Sequence, residues 1–144
     1  MTAGVDFPVR IPFAEHLGLE LWKFADGHAE LRLDLAPAHL NSHRVAHGGV
    51  LMTLLDVAMA HAAKSPGPGA SSHGPGVVTI EMKTSFMRPA EGPLRATGRL
   101  LQRTATLAFT EGSVFDAGDK LCAHATGTFK YLRRAAGTIE DSPP

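Results

Sequence analysis

His47-Gly48-Gly49-Val50-Leu51-Met52-Thr53-Leu54-Leu55-Asp56-Val57-Ala58-Met59-Ala60-His61-Ala62-Ala63-Lys64 is the stretch on which the fold turns. The glycine pair opens a helix, expected over roughly 49–64, that is apolar nearly all round. A helix with so little polar surface is buried on most sides. It is too short to span a bilayer and carries Thr53, Asp56 and His61, so it is a core helix and not a membrane span.

The rest of the chain must supply its cover. Leu17–Phe24 is short and apolar, and Asp26-Gly27 is a hairpin signal. From His28 onward Ala29, Leu31, Leu33 and Leu35 alternate with Glu30, Arg32 and Asp34, the pattern of a half-buried strand. Residues 36–45 carry Pro37, Asn41 and Ser42 and form a loop with one helical turn. After the helix, the Pro-, Gly- and Ser-rich run 65–76 is a loop. Val78, Ile80, Met82 and Phe86 then alternate with Thr79, Glu81, Lys83 and Ser85. Strands are expected at 94–103, 106–115 and 120–132, with turns at 88–93 and 116–119, and the tail after Arg133 frays. The order is two strands, one helix and a meander of four strands. An all-round apolar helix is covered by so few elements only if the sheet curls around it. The fold class is therefore α+β, an antiparallel sheet of about five to six strands around one central helix, in a single domain over 1–144 with its core at about 12–132. A curled sheet retains two edges, which a second copy of the chain can pair with.

Composition narrows the function classes. The 144 residues contain 14 Lys plus Arg against 14 Asp plus Glu, a net charge of zero, which disfavours nucleic acid or a membrane surface as partner. The apolar share is 44% and the charged share 19%, ordinary for a globular domain. One cysteine, Cys122, allows no internal disulfide. No basic segment followed by an apolar run opens the chain, and a cytoplasmic setting is expected.

Chemistry-bearing residues gather between Asn41 and Asp56. Asn41, His47, Gly48 and Gly49 surround a helix N-terminus, whose unpaired N–H groups attract an oxyanion. The two glycines let a ligand carbonyl approach the backbone. Asp56 is the lone carboxylate of the helix, so it is either partnered or functional. Gly49 and Asp56, seven apart, share a face.

Asn41, then His47-Gly48-Gly49, then Asp56, and after a loop Phe86-Met87-Arg88-Pro89, resemble the hotdog-fold acyl-CoA thioesterases, in particular the branch with the phenylacetate-degradation enzymes. The resemblance covers about 17–132. It implies hydrolysis of an acyl-CoA, aryl or medium-chain, to free acid and CoA, with no metal and no organic cofactor. It implies that the Gly48 N–H polarises the thioester carbonyl, with Asn41 and His47 positioning it. Asp56 attacks the carbonyl or activates a water that Thr79 helps hold. Gly49 and Arg88 are expected to touch the substrate. The resemblance further implies a homodimer, able to pair into a homotetramer, whose sites join Asp56 of one subunit to Asn41 and Gly48 of the other. The loop at 65–76 is longer and richer in Pro and Gly than that pattern.

Three other readings compete. His39, His43 and His47, spaced by four, could bind zinc if they lay on one helix, which the Asn-Ser and Gly-Gly around them oppose. A hotdog acyl-CoA-binding module would need no Asp56. A hotdog enoyl-CoA hydratase would pair Asp56 with His61. Arg88, Arg95, Arg99, Arg103, Arg133 and Arg134 could meet CoA phosphates, Arg95, Arg99 and Arg103 sharing strand parity, although a solvated strand face is the simpler expectation. Trp22 and Cys122 are packing residues.

Overall fold

The computed structural model describes residues 4–70 and 72–132. The elements are α1 (Pro12–Leu17), β1 (Glu20–Ala25), β2 (His28–Leu33), a 3-10 turn at Pro37–His39, α2 (Gly48–Lys64), β3 (Val77–Phe86), β4 (Leu94–Arg103), β5 (Leu107–Phe115) and β6 (Leu121–Tyr131). One six-stranded antiparallel sheet, in the order β1-β2-β4-β5-β6-β3, curls around α2. A sheet curled around the helix is what the helix composition called for, and it is the hotdog architecture that the resemblance implies. Among the described residues no helix is long and apolar enough to cross a membrane. The expected fraying after Arg133, and the residues Arg133 and Arg134, lie outside the described residues.

The β1–β2 turn forms as expected, with Asp26 at φ 53° and Gly27 at φ 74°, the paired positive angles of a type I′ hairpin. The short helix α1 was not anticipated. Six residues are too few for a periodic signal, and its marks are Pro12 in the first turn and Gly18 at φ 84° closing it.

The four-strand meander is corrected. Only β4, β5 and β6 run as a meander; β2 pairs with β4, and β3 pairs with β6 at the far edge. Alternation identifies a strand but not its neighbour. Crossing three strand spacings needs about 14 Å, and the connection 87–93 is long enough to reach ~23 Å. That connection passes the start of α2, where Ala46 N–H donates to the Ala90 carbonyl at 3.0 Å.

The alternation read for β3 is also corrected. The register slips between Thr79 and Glu81, leaving Ile80 as a bulge. Val77 and Thr79 before it, and Met82, Thr84 and Phe86 after it, pair with the inward residues Tyr131, Phe129, Gly127, Ala125 and Ala123 of β6. Thr79 therefore faces the helix, while Val78 and Ile80 are exposed at 45% and 54%. A second slip between Leu100 and Gln102 breaks the parity of Arg95, Arg99 and Arg103. Arg103 crosses to the inner side and stacks on Tyr131 at 4.3 Å.

The core lies between α2 and the concave face. Leu54, Leu55, Ala58 and Met59 are buried in one cluster with Leu31, Ala96, Ala108, Val114, Ala125 and Phe129. Cross-strand pairing puts Ala29, Gly98, Gly112 and Ala125 in one row beneath the helix. A Cβ on Gly98 would meet the backbone carbonyl of Ala58 and, at 2.9 Å, the Met59 nitrogen. The glycines thus make a trough that lets helix backbone sit on sheet backbone. One stripe of α2 stays uncovered in the single chain: Gly49, Met52, Thr53, Asp56 and Ala60. The helix is not covered all round by its own sheet.

His61 faces away from that stripe. It is 1% exposed, edge-on to Phe7 (5.3 Å) and Phe24 (5.6 Å), and its Nδ1–H donates to the Val57 carbonyl at 2.7 Å. Burial, reinforced by the like charge of Lys64, pulls its pKa from 6.5 down to about 3. The unfolded chain takes up a proton below pH 6.5 that the folded chain refuses, so stability falls as pH drops from about 6.5 toward 3. The slope is at most about 1.4 kcal/mol per pH unit. The melting temperature of the parent should fall more steeply between pH 7 and pH 4.5 than that of His61→Leu. Parallel curves would contradict this.

Candidate active site

The turn before α2 is held by its own histidines and Asn41. His39 is buried; its Nδ1 accepts from Ala36 N–H (2.9 Å), its Nε2–H donates to the Leu17 carbonyl (2.7 Å), and its carbonyl accepts from His47 N–H (2.8 Å). Both ring nitrogens being engaged, His39 has none to offer a metal. No group of His, Cys, Asp or Glu among the described residues is placed to hold a metal ion. The zinc reading of His39, His43 and His47 falls with that.

Asn41 folds the loop onto itself. Its Oδ1 accepts from His43 N–H at 2.8 Å and from Val45 N–H at 3.3 Å, the Asx turn that Asn favours. Asn41 also lines the cleft beside the helix start, and with its oxygen committed the polar group that remains on the side chain is the amide N–H pair. His47 is the N-cap of α2, its Nδ1 accepting from Gly49 N–H at 2.8 Å. A Cβ on Gly49 would stand 3.1 Å from that nitrogen, so glycine lets the cap close. The Val50 and Leu51 N–H groups donate to the His47 carbonyl. That leaves the Gly48 N–H, at the positive end of the helix, without an acceptor among the described residues.

Gly48 and Asn41 line a cleft of about 420 Å³ whose walls include Phe86 at the end of β3 and Met87, Arg88 and Ala90 from the crossover connection. Arg88 forms no ion pair among the described residues, whereas Arg95 is bonded to Asp119 (3.1 Å) and Arg99 to Glu111 (3.2 Å). Of the candidate arginines, Arg88 is the one the structure places beside the helix start.

Asp56 and Thr79 form a second group. The Ile80 bulge turns Thr79 inward, and its hydroxyl donates to Asp56 Oδ1 at 2.6 Å. Asp56 is half-buried on the uncovered stripe. It does not meet His61, whose bonded partner is Val57, so the hydratase pairing is not formed. Nor does Asp56 line the Asn41–Gly48 cleft. Gly48 and Asp56 are eight residues apart on one helix, about 12 Å along its axis. One chain thus gathers the candidate residues into two half-sites: Asn41, His47, Gly48, Gly49 and Arg88 at the helix start, and Asp56 with Thr79 two turns on. Of the cleft walls, Asn41, Gly48 and the Phe86-Met87-Arg88-Pro89 run were singled out from sequence, whereas Val45, Leu51 and Ala90, and the Gly98 trough, were not. A glycine inside a strand pattern, the mark of close backbone approach, was the available signal for the trough.

Comparison with known proteins places this arrangement. Residues 43–123 match the family model of the thioesterase superfamily. Among solved structures, a conserved protein of Pseudomonas aeruginosa is 36% identical, covers 87% of this chain and 97% of its own, and superposes with a TM-score of 0.78. A mutant of the phenylacetic acid degradation protein PaaI from Thermus thermophilus is 29% identical over 85% of this chain and all of its own, with a TM-score of 0.73. A Bacillus halodurans protein, solved with CoA, is 28% identical over 88% of this chain and 82% of its own, with a TM-score of 0.74. With more than half its length in the family match and the six-stranded sheet closed on α2, the chain belongs to the hotdog-fold thioesterase superfamily and resembles its phenylacetate-degradation branch.

Proposed function

We propose that this protein hydrolyses an acyl-CoA thioester to a free acid and CoA, at sites built between two copies of the chain. The observation that carries this reading is the pair of half-sites along one helix: Gly48 at its start lining a cleft with Asn41, and Asp56, held by the Thr79 hydroxyl, about 12 Å further on.

Elementary geometry supports the dimer. β3 is a ten-residue edge strand, and an edge of that length with Val78, Ile80 and Phe86 exposed invites pairing. Thr79, near the start of β3, bonds Asp56, and Phe86, at its end, lies against Gly48. Antiparallel pairing of β3 with its copy about a two-fold axis between Met82 and Lys83 sets the start of one strand against the end of the other. Asp56 then comes beside the partner subunit's Gly48, and the uncovered stripe of α2 is covered.

In that site the thioester carbonyl accepts from the Gly48 N–H and the Asn41 amide, which favour the oxyanion of the tetrahedral intermediate. One such donor is typically worth about 10²–10³ in rate. His47 holds the turn through its cap. Asp56, aligned by Thr79, adds to the carbonyl carbon or takes a proton from the attacking water. Where Asp56 takes the proton from water, the C–S bond breaks, that proton passes to the CoA thiolate and the acid departs; where Asp56 adds, CoA leaves an acyl–aspartate anhydride that water hydrolyses, releasing the acid and freeing Asp56. Gly49 and Arg88 contact the substrate, Arg88 facing the anionic CoA arm. A binding module on the same fold has no use for the Thr79–Asp56 bond. Release of thiol from a panel of aryl and aliphatic acyl-CoAs tests the reading: turnover supports hydrolysis, and tight binding without turnover transfers the case to the binding module.

A further inference from the structure

A second cleft, of about 290 Å³, lies on the other side of the same helix turn. Its wall is apolar: Phe13 and Leu17 from α1, Leu40 from the loop, and Val50 from α2. Two polar atoms at its edge, the Thr53 hydroxyl and the His47 Nδ1, are engaged within the helix start. Thr53 donates its hydroxyl proton to the Gly49 carbonyl at 2.8 Å, and the Nδ1 of His47 is taken by the Gly49 N–H. The first cleft contrasts with it, being lined by Asn41, by the cationic Arg88 and by Gly48, whose N–H has no acceptor among the described residues. Gly48 lines the first cleft and its neighbours His47 and Gly49 line the second, so the two meet at the point where the carbonyl is held.

A thioester carbonyl has two substituents, and the helix start has two clefts. The CoA arm carries amides and phosphates and suits the side with open donors and a cation. The acyl group is a hydrocarbon and suits the side walled by Phe13, Leu17, Leu40 and Val50. Resting on the thioesterase reading, we propose that the apolar cleft between α1 and the start of α2 receives the acyl group. Phe13, Leu17, Leu40 and Val50 then set the acyl preference. Phe13, 59% exposed at the rim, closes over an acyl group long enough to reach it.

The inference makes a graded prediction. Each methylene that enters the cleft should raise kcat/KM about fourfold, the equivalent of ~0.8 kcal/mol per buried CH₂. Ala38, exposed on the 3-10 turn, borders the cleft, so Ala38→Trp fills it from the solvent side, and Phe13→Ala removes its rim. The test compares kcat/KM for acetyl-CoA and octanoyl-CoA, and binding of the thioethers S-ethyl-CoA and S-octyl-CoA. Both are measured for the parent, Ala38→Trp and Phe13→Ala, with melting curves as the check of folding. The parent should favour the longer chain, and each variant should cut the octanoyl-to-acetyl ratio about tenfold or more, as expected if two or more methylenes lose their cover. An unchanged ratio in both folded variants overturns the inference, and so does an equal fall for both substrates. If nothing is hydrolysed but S-octyl-CoA binds more tightly than S-ethyl-CoA and Ala38→Trp abolishes the difference, the acyl cleft stands and hydrolysis is withdrawn. If neither thioether binds and neither ester is cleaved, both readings are overturned.

Discussion

Asp56→Ala should lower kcat/KM for acyl-CoA hydrolysis by about 10²–10⁴, the range expected when a general base or nucleophile is removed. The effect should fall on kcat, because the donors at Gly48 and Asn41 still hold the carbonyl. Little change in melting temperature is expected, since Asp56 is only half-buried within its own chain and borders the substrate site, where water can take its place against the Thr79 hydroxyl. Asp56→Asn keeps the shape and the Thr79 bond and removes the charge, so it should be nearly as slow. Thiol release under single-turnover conditions separates this from a binding defect. Turnover equal to the parent in either variant would remove Asp56 from the mechanism, whatever the fold says.

The largest structural effect belongs to a residue that touches no substrate. Gly98→Ala places a methyl group where the Ala58 carbonyl and the Met59 nitrogen already are. Backbone cannot rotate aside as a side chain can, so α2 must lift from the trough and with it both half-sites. Overpacking usually costs about 1–3 kcal/mol, and a clash with backbone belongs at or beyond the top of that range. A loss of ~3 kcal/mol corresponds to a fall of roughly 10 °C in melting temperature for a domain of this size. Gly127→Ala is the control. Its added methyl would meet the flexible end of Met59 at 3.0 Å and the Phe129 ring at 3.2 Å, which can adjust, so its cost should be clearly smaller. Equal melting temperatures for the two variants would mean that the close approach at Gly98 is not what seats the helix.

Much of this was legible in the residues. The helix over 48–64 announced itself by composition, the Asp26-Gly27 turn by its dipeptide and β2 by clean alternation, because those signals are local. Asn41, His47, Gly48, Gly49 and Asp56 stood out as candidates for a similar reason, a cap, two glycines and a lone carboxylate within one short stretch, while Thr79 and Arg88 came only from the family resemblance. The failures share a different cause. Strand order depends on pairing between distant segments, so β3 was placed beside β4 although the connection 87–93 carries it to the other edge. The bulges at Ile80 and Leu101 each insert one residue and invert every face assignment beyond them. Nothing in the alternation of Val78 and Ile80 reveals that Thr79, and not they, turns toward Asp56. The covering of α2 was misjudged in an informative way: the sequence of the helix is apolar enough to be covered all round, and one chain leaves a stripe bare.

That bare stripe leads to the central claim, that Asp56 of one subunit works with Asn41 and Gly48 of the other. Complementation tests it directly. Asn41→Asp keeps the loop-closing oxygen but replaces the donor with a carboxylate, and Asp56→Ala removes the base, so each homodimer alone should be nearly inactive. Co-expressed with different tags and purified as the mixed dimer, the two variants should regain about half the parental thiol-release rate per dimer, because one of the two shared sites is then intact and the other carries both defects. A mixed dimer no more active than either variant alone would show that each site is built within one chain.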